Sequence, residues 1–227
     1  MNYKSKDYKT ILMIKACIFD LDGVIVDTAK YHYIAWREIA QELGFEFTEH
    51  HNERLKGVSR MASLDILLEV GGIQLSLSEK NALAHRKNEH YLSFIRQMQP
   101  DEILPGAKEF LEACHNEGIA TALGSASKNA MTILDRLQLT PLFDVIIDGN
   151  KTAKAKPDPE VFLKGAEALH IEPEFCVVFE DAEAGVQAAL TAGMKCVGIG
   201  SPQILSKAHM VVSGLDKMTT NMLDKLQ

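Results

Sequence analysis

Five short, mostly apolar runs recur along the chain: "ILMIKACIFD", "GIATALGSAS", "FDVIIDG", "FCVVFED" and "KCVGIG". Runs this brief and this continuous in Ile, Val and Phe fit strands covered on both faces rather than strands with one wet side. Between them lie "GAKEFLEACHNEG", "SKNAMTILDRLQL", "PEVFLKGAEALH" and "AGVQAALTAG", each with apolar residues at helical spacing. Gly118 closes the first of these as a helix stop signal. Strand alternating with helix predicts a parallel sheet with helices on both faces, a doubly wound, Rossmann-like α/β core.

One region breaks the alternation. Between about Lys30 and Gln99 no strand pattern is found, and "YHYIAWREIAQELG", "MASLDILLEVGG" and "SEKNALAHRKNEHYLSFIRQMQ" all read as amphipathic helices. Leu104-Pro105-Gly106 marks the return to the sheet. The expected organisation is a core of residues 1–29 and 100–227 and an all-helical inserted domain at 30–99. The first dozen residues are polar and then briefly apolar, and are expected to form a loose leader. At 227 residues the chain suits one domain with a sizeable insertion.

The net charge of -7 argues against nucleic acid as a partner, because phosphate backbones attract basic faces. No apolar run is long enough for a transmembrane helix, so no membrane partner is expected. The four cysteines, Cys17, Cys114, Cys176 and Cys196, lack the close spacing of a zinc set. Free buried cysteine suits a reducing compartment, and a cytoplasmic protein is expected. A monomer is expected as well.

In an open parallel sheet, ligands bind beyond the carboxyl ends of the strands. Here those ends carry polar residues. The first run ends at Asp20 and Asp22, the second at Ser125 with Ala126, Ser127, Lys128 and Asn129 behind it, and the fourth at Glu180 and Asp181. A loop after the third carries Lys156. If these ends converge, several carboxylates share a crevice with a lysine and hydroxyls, as a hard cation requires. Such a crevice suits attack by an aspartate on phosphorus, with a second carboxylate trading protons and a lysine neutralising charge. Each element alone has an ordinary reading. A D-x-D is common in turns, Lys156 could be a solvated loop lysine, and Glu180-Asp181 could be a polar helix start. Asp27 or Thr28 could cap the next helix, and Asp27 is read that way. The argument rests on the joint occurrence at strand ends.

"FDLDGVIVDT", "GSAS", "KAKPDP" and "VVFEDAEAGVQAALTAGM" together resemble the haloacid dehalogenase-like phosphotransferase superfamily, across essentially the whole chain. The resemblance implies Asp20 as nucleophile, Asp22 as general acid/base, Ser125 and Lys156 as phosphoryl-binding groups, and Mg²⁺ held by Asp20, the Asp22 carbonyl, Glu180 and Asp181. It also implies that the helical insertion is a mobile cap. "DTAKYHYIAW", "LKGVSR", "RKNEHY" and "SASKN" further resemble the sugar phosphomutases of that superfamily. That implies a small phosphorylated sugar as substrate, with Arg60 on its non-transferring phosphate, helped by Ser127, Lys128 and Asn129. Gly57, Val58 and Ser63 would line the sugar site, with Thr28, Trp36, Ser59 and Ala126 also at the substrate. His32 and Lys87 would couple cap closure to the placement of Asp22. The implied reaction interconverts β-D-glucose 1-phosphate and D-glucose 6-phosphate through an aspartyl-phosphate enzyme and β-glucose 1,6-bisphosphate. A small-molecule phosphatase on the same scaffold is the alternative. "FEDA" departs from the expected pattern by placing Ala182 where a serine is expected, while keeping both carboxylates.

Overall fold

The structure, a computed structural model, describes residues 14–55 and 57–226. The expected leader lies outside these residues. Six strands form one parallel sheet: β1 (Ala16–Phe19), β2 (Ala120–Gly124), β3 (Val145–Ile147), β4 (Cys176–Glu180), β5 (Lys195–Ile199) and β6 (Met210–Val212). Their order is β3-β2-β1-β4-β5-β6, and every pairing is parallel. The five expected strands are all present. The sixth, β6, is three half-buried residues at a sheet edge, too short for an apolar run to announce it.

Strand alternation divides the core in two. Cys17 and Phe19 of β1 face one layer, where Phe19 stacks on Phe179 at 4.7 Å and meets Phe110 edge-on at 6.1 Å. Ala16 and Ile18 face the other, with Phe162, Val178 and Val186. Helices α5 (Ala107–Asn116) and α6 (Ala130–Arg136) supply the first layer, and α7 (Glu160–Leu169) and α8 (Glu183–Thr191) the second. Burying a side chain such as Phe19 contributes about 1.5–3 kcal/mol. The central strands, covered on both sides, therefore anchor the fold. The four cysteines are free and buried, and burial pushes the thiols of Cys17, Cys176 and Cys196 up. They serve as small apolar residues.

Between β1 and α5 the chain forms α1 (Ala29–Glu42), α2 (Glu49–Glu53), α3 (Arg60–Gly71) and α4 (Leu77–Ile95). The short α2 was not expected, because five residues are too few to display a period. These helices bury a cluster of their own around Trp36, Phe47, Leu64 and Leu67. Ser76 starts α4 with a capping box, in which Glu79 returns a bond to the Ser76 backbone at 2.8 Å. Two linkers connect this unit to the sheet and lie against each other. The Asp27 amide donates to the Glu102 carbonyl at 3.0 Å, and the Leu104 amide to the Ile25 carbonyl at 2.9 Å. Lys30 and Tyr31 both reach the Glu102 carboxylate.

The cap of α1 is Thr28, not Asp27, a correction to the sequence reading. Thr28 is in helical backbone geometry, so its side chain does not reach the helix amides. Its hydroxyl turns inward instead and donates to the Asp22 carboxylate.

Candidate active site

The strand order reverses at β1, which lies between β2 and β4. Connections leave in opposite directions there, opening a crevice above the carboxyl ends. The register places Phe19 beside Leu123 and Phe179, so the residues that follow these strands emerge together. Asp20 is pinned at this edge by its amide, which donates to the Phe179 carbonyl at 3.0 Å. The oxygens of Asp20, Glu180 and Asp181 lie within 4.8 Å of one another. Lys156 enters from the loop before α7 and donates to Asp20 at 2.6 Å and to Glu180 at 2.5 Å. Its ammonium also stands over the Phe162 ring.

Burial opposes the charge on Lys156, but the Asp20 and Glu180 carboxylates outweigh it and hold the amine above its ordinary range. For Glu180 burial dominates and raises the carboxyl, with Asp20 adding to it and Lys156 opposing. The Ala182 amide donates to Glu180 at 2.9 Å, so this bond comes from the backbone and needs no serine side chain.

The turn after β1 passes against this cluster. Gly23 adopts φ +78°, and a Cβ there would sit 2.3 Å from an Asp181 carboxylate oxygen. Gly23→Ala is expected to cost about 1–2 kcal/mol of stability from the left-handed backbone alone. It should also weaken divalent-cation binding, because its methyl occupies the space of the Asp181 carboxylate. Urea denaturation and calorimetric Mn²⁺ titration measure the two effects. Unaltered Mn²⁺ affinity would show that Asp181 moves aside without consequence.

Asp22 belongs to a second network. Its carboxyl is pushed up to about 7, by burial first and then by Asp20. The Lys87 amine lies 2.7 Å from His32 Nδ1 and packs over the Trp36 and Tyr91 rings. Burial, Lys87 and Arg60 hold the His32 imidazole well below its usual range, so its Nδ1 is free to accept from Lys87. Lys87 itself falls to about 7, through burial and then Arg60, with Asp22 opposing. Lys87 is thus an ionisable side chain only 3% exposed.

A cavity of about 530 Å³ joins these groups. Its wall includes Asp20, Asp22, Ser125 and Asp181 from the core side. Ala126, Ser127, Lys128 and Asn129 continue that wall, and His32, Trp36 and Lys87 close it from α1 and α4. Gly57, Val58, Ser59, Arg60 and Ser63 complete it. The Ser59 hydroxyl is engaged in capping α3, accepting from the Ala62 amide at 3.3 Å. Burial lowers the pKa of the Arg60 guanidinium, with Tyr91 and Glu89 opposing. Three expected residues are off the wall: Lys156 and Glu180 lie beneath it, and Thr28 is fully buried behind Asp22. Thr28 therefore acts on the acid/base candidate rather than at the cavity surface.

Sequence reasoning missed Asn52, Asn88 and the loop Thr152–Ala155, which also line the cavity. The Asn129 amide donates to Asn88 at 2.9 Å, directly across from the sheet domain to α4. Glu160 braces the loop by accepting from the amides of Ala153 and Lys154 at 3.0 and 2.7 Å. "RKNEHY" points to Lys87 and not to Asn88, and "HNE" looks like ordinary polar helix surface, so neither asparagine is marked.

Comparison with known proteins agrees with this architecture. The pattern of the haloacid dehalogenase-like hydrolases matches residues 14–193. A β-phosphoglucomutase of Bacillus subtilis is 44% identical over 212 residues, 92% of this chain and 94% of that protein. A phosphorylated carbohydrates phosphatase of Thermotoga maritima is 35% identical over 80% of this chain and 83% of its own. The crystal structure of a β-phosphoglucomutase from Clostridium difficile superimposes with a TM-score of 0.90 at 42% identity, covering 94% of this chain and 96% of that one. With the paired aspartates just after β1, the buried lysine and the acidic end of β4 in one crevice, the chain belongs to the haloacid dehalogenase-like hydrolase family.

Proposed function

We propose that the chain is a Mg²⁺-dependent mutase that interconverts β-D-glucose 1-phosphate and D-glucose 6-phosphate through β-glucose 1,6-bisphosphate. The observation that carries this reading is that one cavity is lined both by Asp20 and Asp22 and by a second cationic group, Arg60 with Lys128. A mutase must hold one phosphate while moving the other. A site lined only for the transferring phosphate would suit a phosphatase.

The donor set suits the metal. Oxygens of Asp20, Glu180 and Asp181 gather within 4.8 Å, two of these carboxylates pair with the Lys156 ammonium, and all three offer hard oxygen ligands. Asp20, Glu180, Asp181 and the Asp22 carbonyl would hold Mg²⁺, which neutralises charge so that an anionic carboxylate can approach an anionic phosphate. Asp20 attacks phosphorus, forming a carboxyl O–P bond as the sugar O–P bond breaks. Asp22 gives its proton to the departing sugar oxygen and recovers one from the hydroxyl that attacks in the return step. Lys156 holds Asp20 in place and offsets charge on the transferring group. The Ser125 hydroxyl accepts from the Ser127 amide at 3.1 Å, which leaves its proton to donate to a phosphoryl oxygen. Arg60 binds the distal phosphate with its guanidinium fork. Helices α1–α4 act as a cap, and Lys87 and His32 bring the closed cap to bear on Asp22.

The four free, buried thiols support a reducing, cytoplasmic setting. No helix among the described residues is long and apolar enough to cross a membrane.

A phosphorus NMR time course with β-glucose 1-phosphate, Mg²⁺ and a trace of the bisphosphate tests the reading. Glucose 6-phosphate is expected, and free phosphate at the same rate would make the chain a phosphatase. Arg60→Ala should reduce sugar phosphate turnover by roughly tenfold to a hundredfold, the value of one charge-assisted hydrogen bond of about 1.5–3 kcal/mol. Release from a small aryl phosphate, which has no distal phosphate, should fall much less. Equal losses on both would remove Arg60 from this role.

A further inference from the structure

The wall of the cavity includes a residue with a buried, unpartnered polar atom that the reading above does not use. Asn52, on α2, is only 9% exposed, and its side-chain Oδ1 is buried with no hydrogen-bond partner among the described residues. Its main chain is fully engaged: the amide donates to Thr48 at 3.1 Å and the carbonyl accepts from Leu55 at 2.9 Å. The residue is therefore held firmly while its side-chain carbonyl is left unmatched. Buried polar atoms in folded proteins are almost always satisfied, and an orphaned acceptor costs stability. Because Asn52 lines the cavity with Leu55, Trp36 and Ser63, a donor carried by a bound ligand is within its reach.

A carbonyl oxygen only accepts. It repels a phosphate dianion, whose oxygens carry no proton, and it attracts a hydroxyl. We propose that Asn52 is a specificity-determining residue whose Oδ1 accepts a hydrogen bond from one hydroxyl of the sugar ring. This rests on the hexose phosphate reading of the site. It assigns Asn52 to the sugar, between the two phosphates. A site built to pair a substrate hydroxyl rejects the analogue that lacks it, because the acceptor is then left buried and unmatched.

The test is a cycle between protein and substrate. Parent enzyme and Asn52→Leu are each assayed for kcat/KM on β-glucose 1-phosphate and on its 2-, 3- and 4-deoxy and deoxyfluoro analogues. Both glucose 6-phosphate formation and phosphate release are read. In the parent, removing the partnered hydroxyl should cost roughly twofold to tenfold, as a neutral hydrogen bond of about 0.5–1.5 kcal/mol implies. Fluorine at that position should restore nothing, since it cannot donate. In Asn52→Leu the penalty at that one position should vanish while the others persist. Asn52→Asp, which keeps an acceptor, should retain it. Without ligand, Asn52→Leu should melt at or above the parent temperature, since it removes an orphan acceptor at similar volume.

Identical analogue penalties in parent and Asn52→Leu would overturn the proposal. So would a loss of several degrees in ligand-free melting temperature, which would make Asn52 structural. Phosphate release instead of isomerisation would sink the mutase reading alone, because the analogue comparison remains readable. A parent that turns over no hexose phosphate would overturn both.

Discussion

Asp20→Asn is expected to fold normally and to lose kcat by roughly 10⁶-fold, the scale on which covalent catalysis fails when its nucleophile is removed. The amide has almost the shape of the carboxylate but cannot attack phosphorus. The main-chain bond from Asp20 to Phe179 does not depend on the side chain. Lys156 keeps Glu180 as its charged partner at 2.5 Å, so no buried ammonium is stranded. Circular dichroism and melting should therefore stay close to the parent. Peptide mapping of the parent after reaction with acetyl phosphate should place the phosphoryl group on Asp20, and hydroxylamine should release it. A phosphoryl group found on a serine or histidine would remove Asp20 from the role of nucleophile.

Asp22→Asn should separate proton transfer from phosphoryl transfer. The substitution keeps the main-chain carbonyl and still offers an oxygen to the Thr28 hydroxyl, which the native carboxylate accepts. It removes the proton relay, typically worth ~10²–10⁴-fold. Both sugar steps need that relay. Phosphorylation of Asp20 by acetyl phosphate does not, because its leaving group departs without a proton. Single-turnover rates with glucose bisphosphate should fall by that range, and rates with acetyl phosphate by far less. Equal losses would mean that Asp22 acts by shaping the site.

Legibility in the sequence followed the physics of each signal. The strands were readable because β1, β2, β4 and β5 are covered on both faces and so are apolar throughout. The edge strand β6 and the one-turn α2 were not, since neither is long enough to repeat a pattern. Asp20, Ser125, Glu180 and Asp181 stood out because charge and hydroxyl at the end of a buried run are unusual. Lys156 did so only in company, and its burial could not be read from "AKAKP". Thr28 shows the limit most clearly. Its position before a helix predicts capping, yet its helical backbone geometry keeps the side chain from the helix amides, and the hydroxyl donates to the buried Asp22 carboxylate. Asn52 and Asn88 are polar residues on polar helices, and only the folded chain shows that they face a cavity.

The bond between Asn88 and Asn129 carries a consequence for turnover. It joins two neutral amides, and such a bond is worth about 0.5–1.5 kcal/mol net. That biases a two-state opening by roughly twofold to tenfold and no more. An ion pair buried at the same place would hold the lid far harder and make escape of the product the slow event. For the cap proposed above, a weak neutral clasp would leave the closed form favoured but short-lived, a suitable balance for a catalyst whose bisphosphate intermediate has to turn end for end between two transfers.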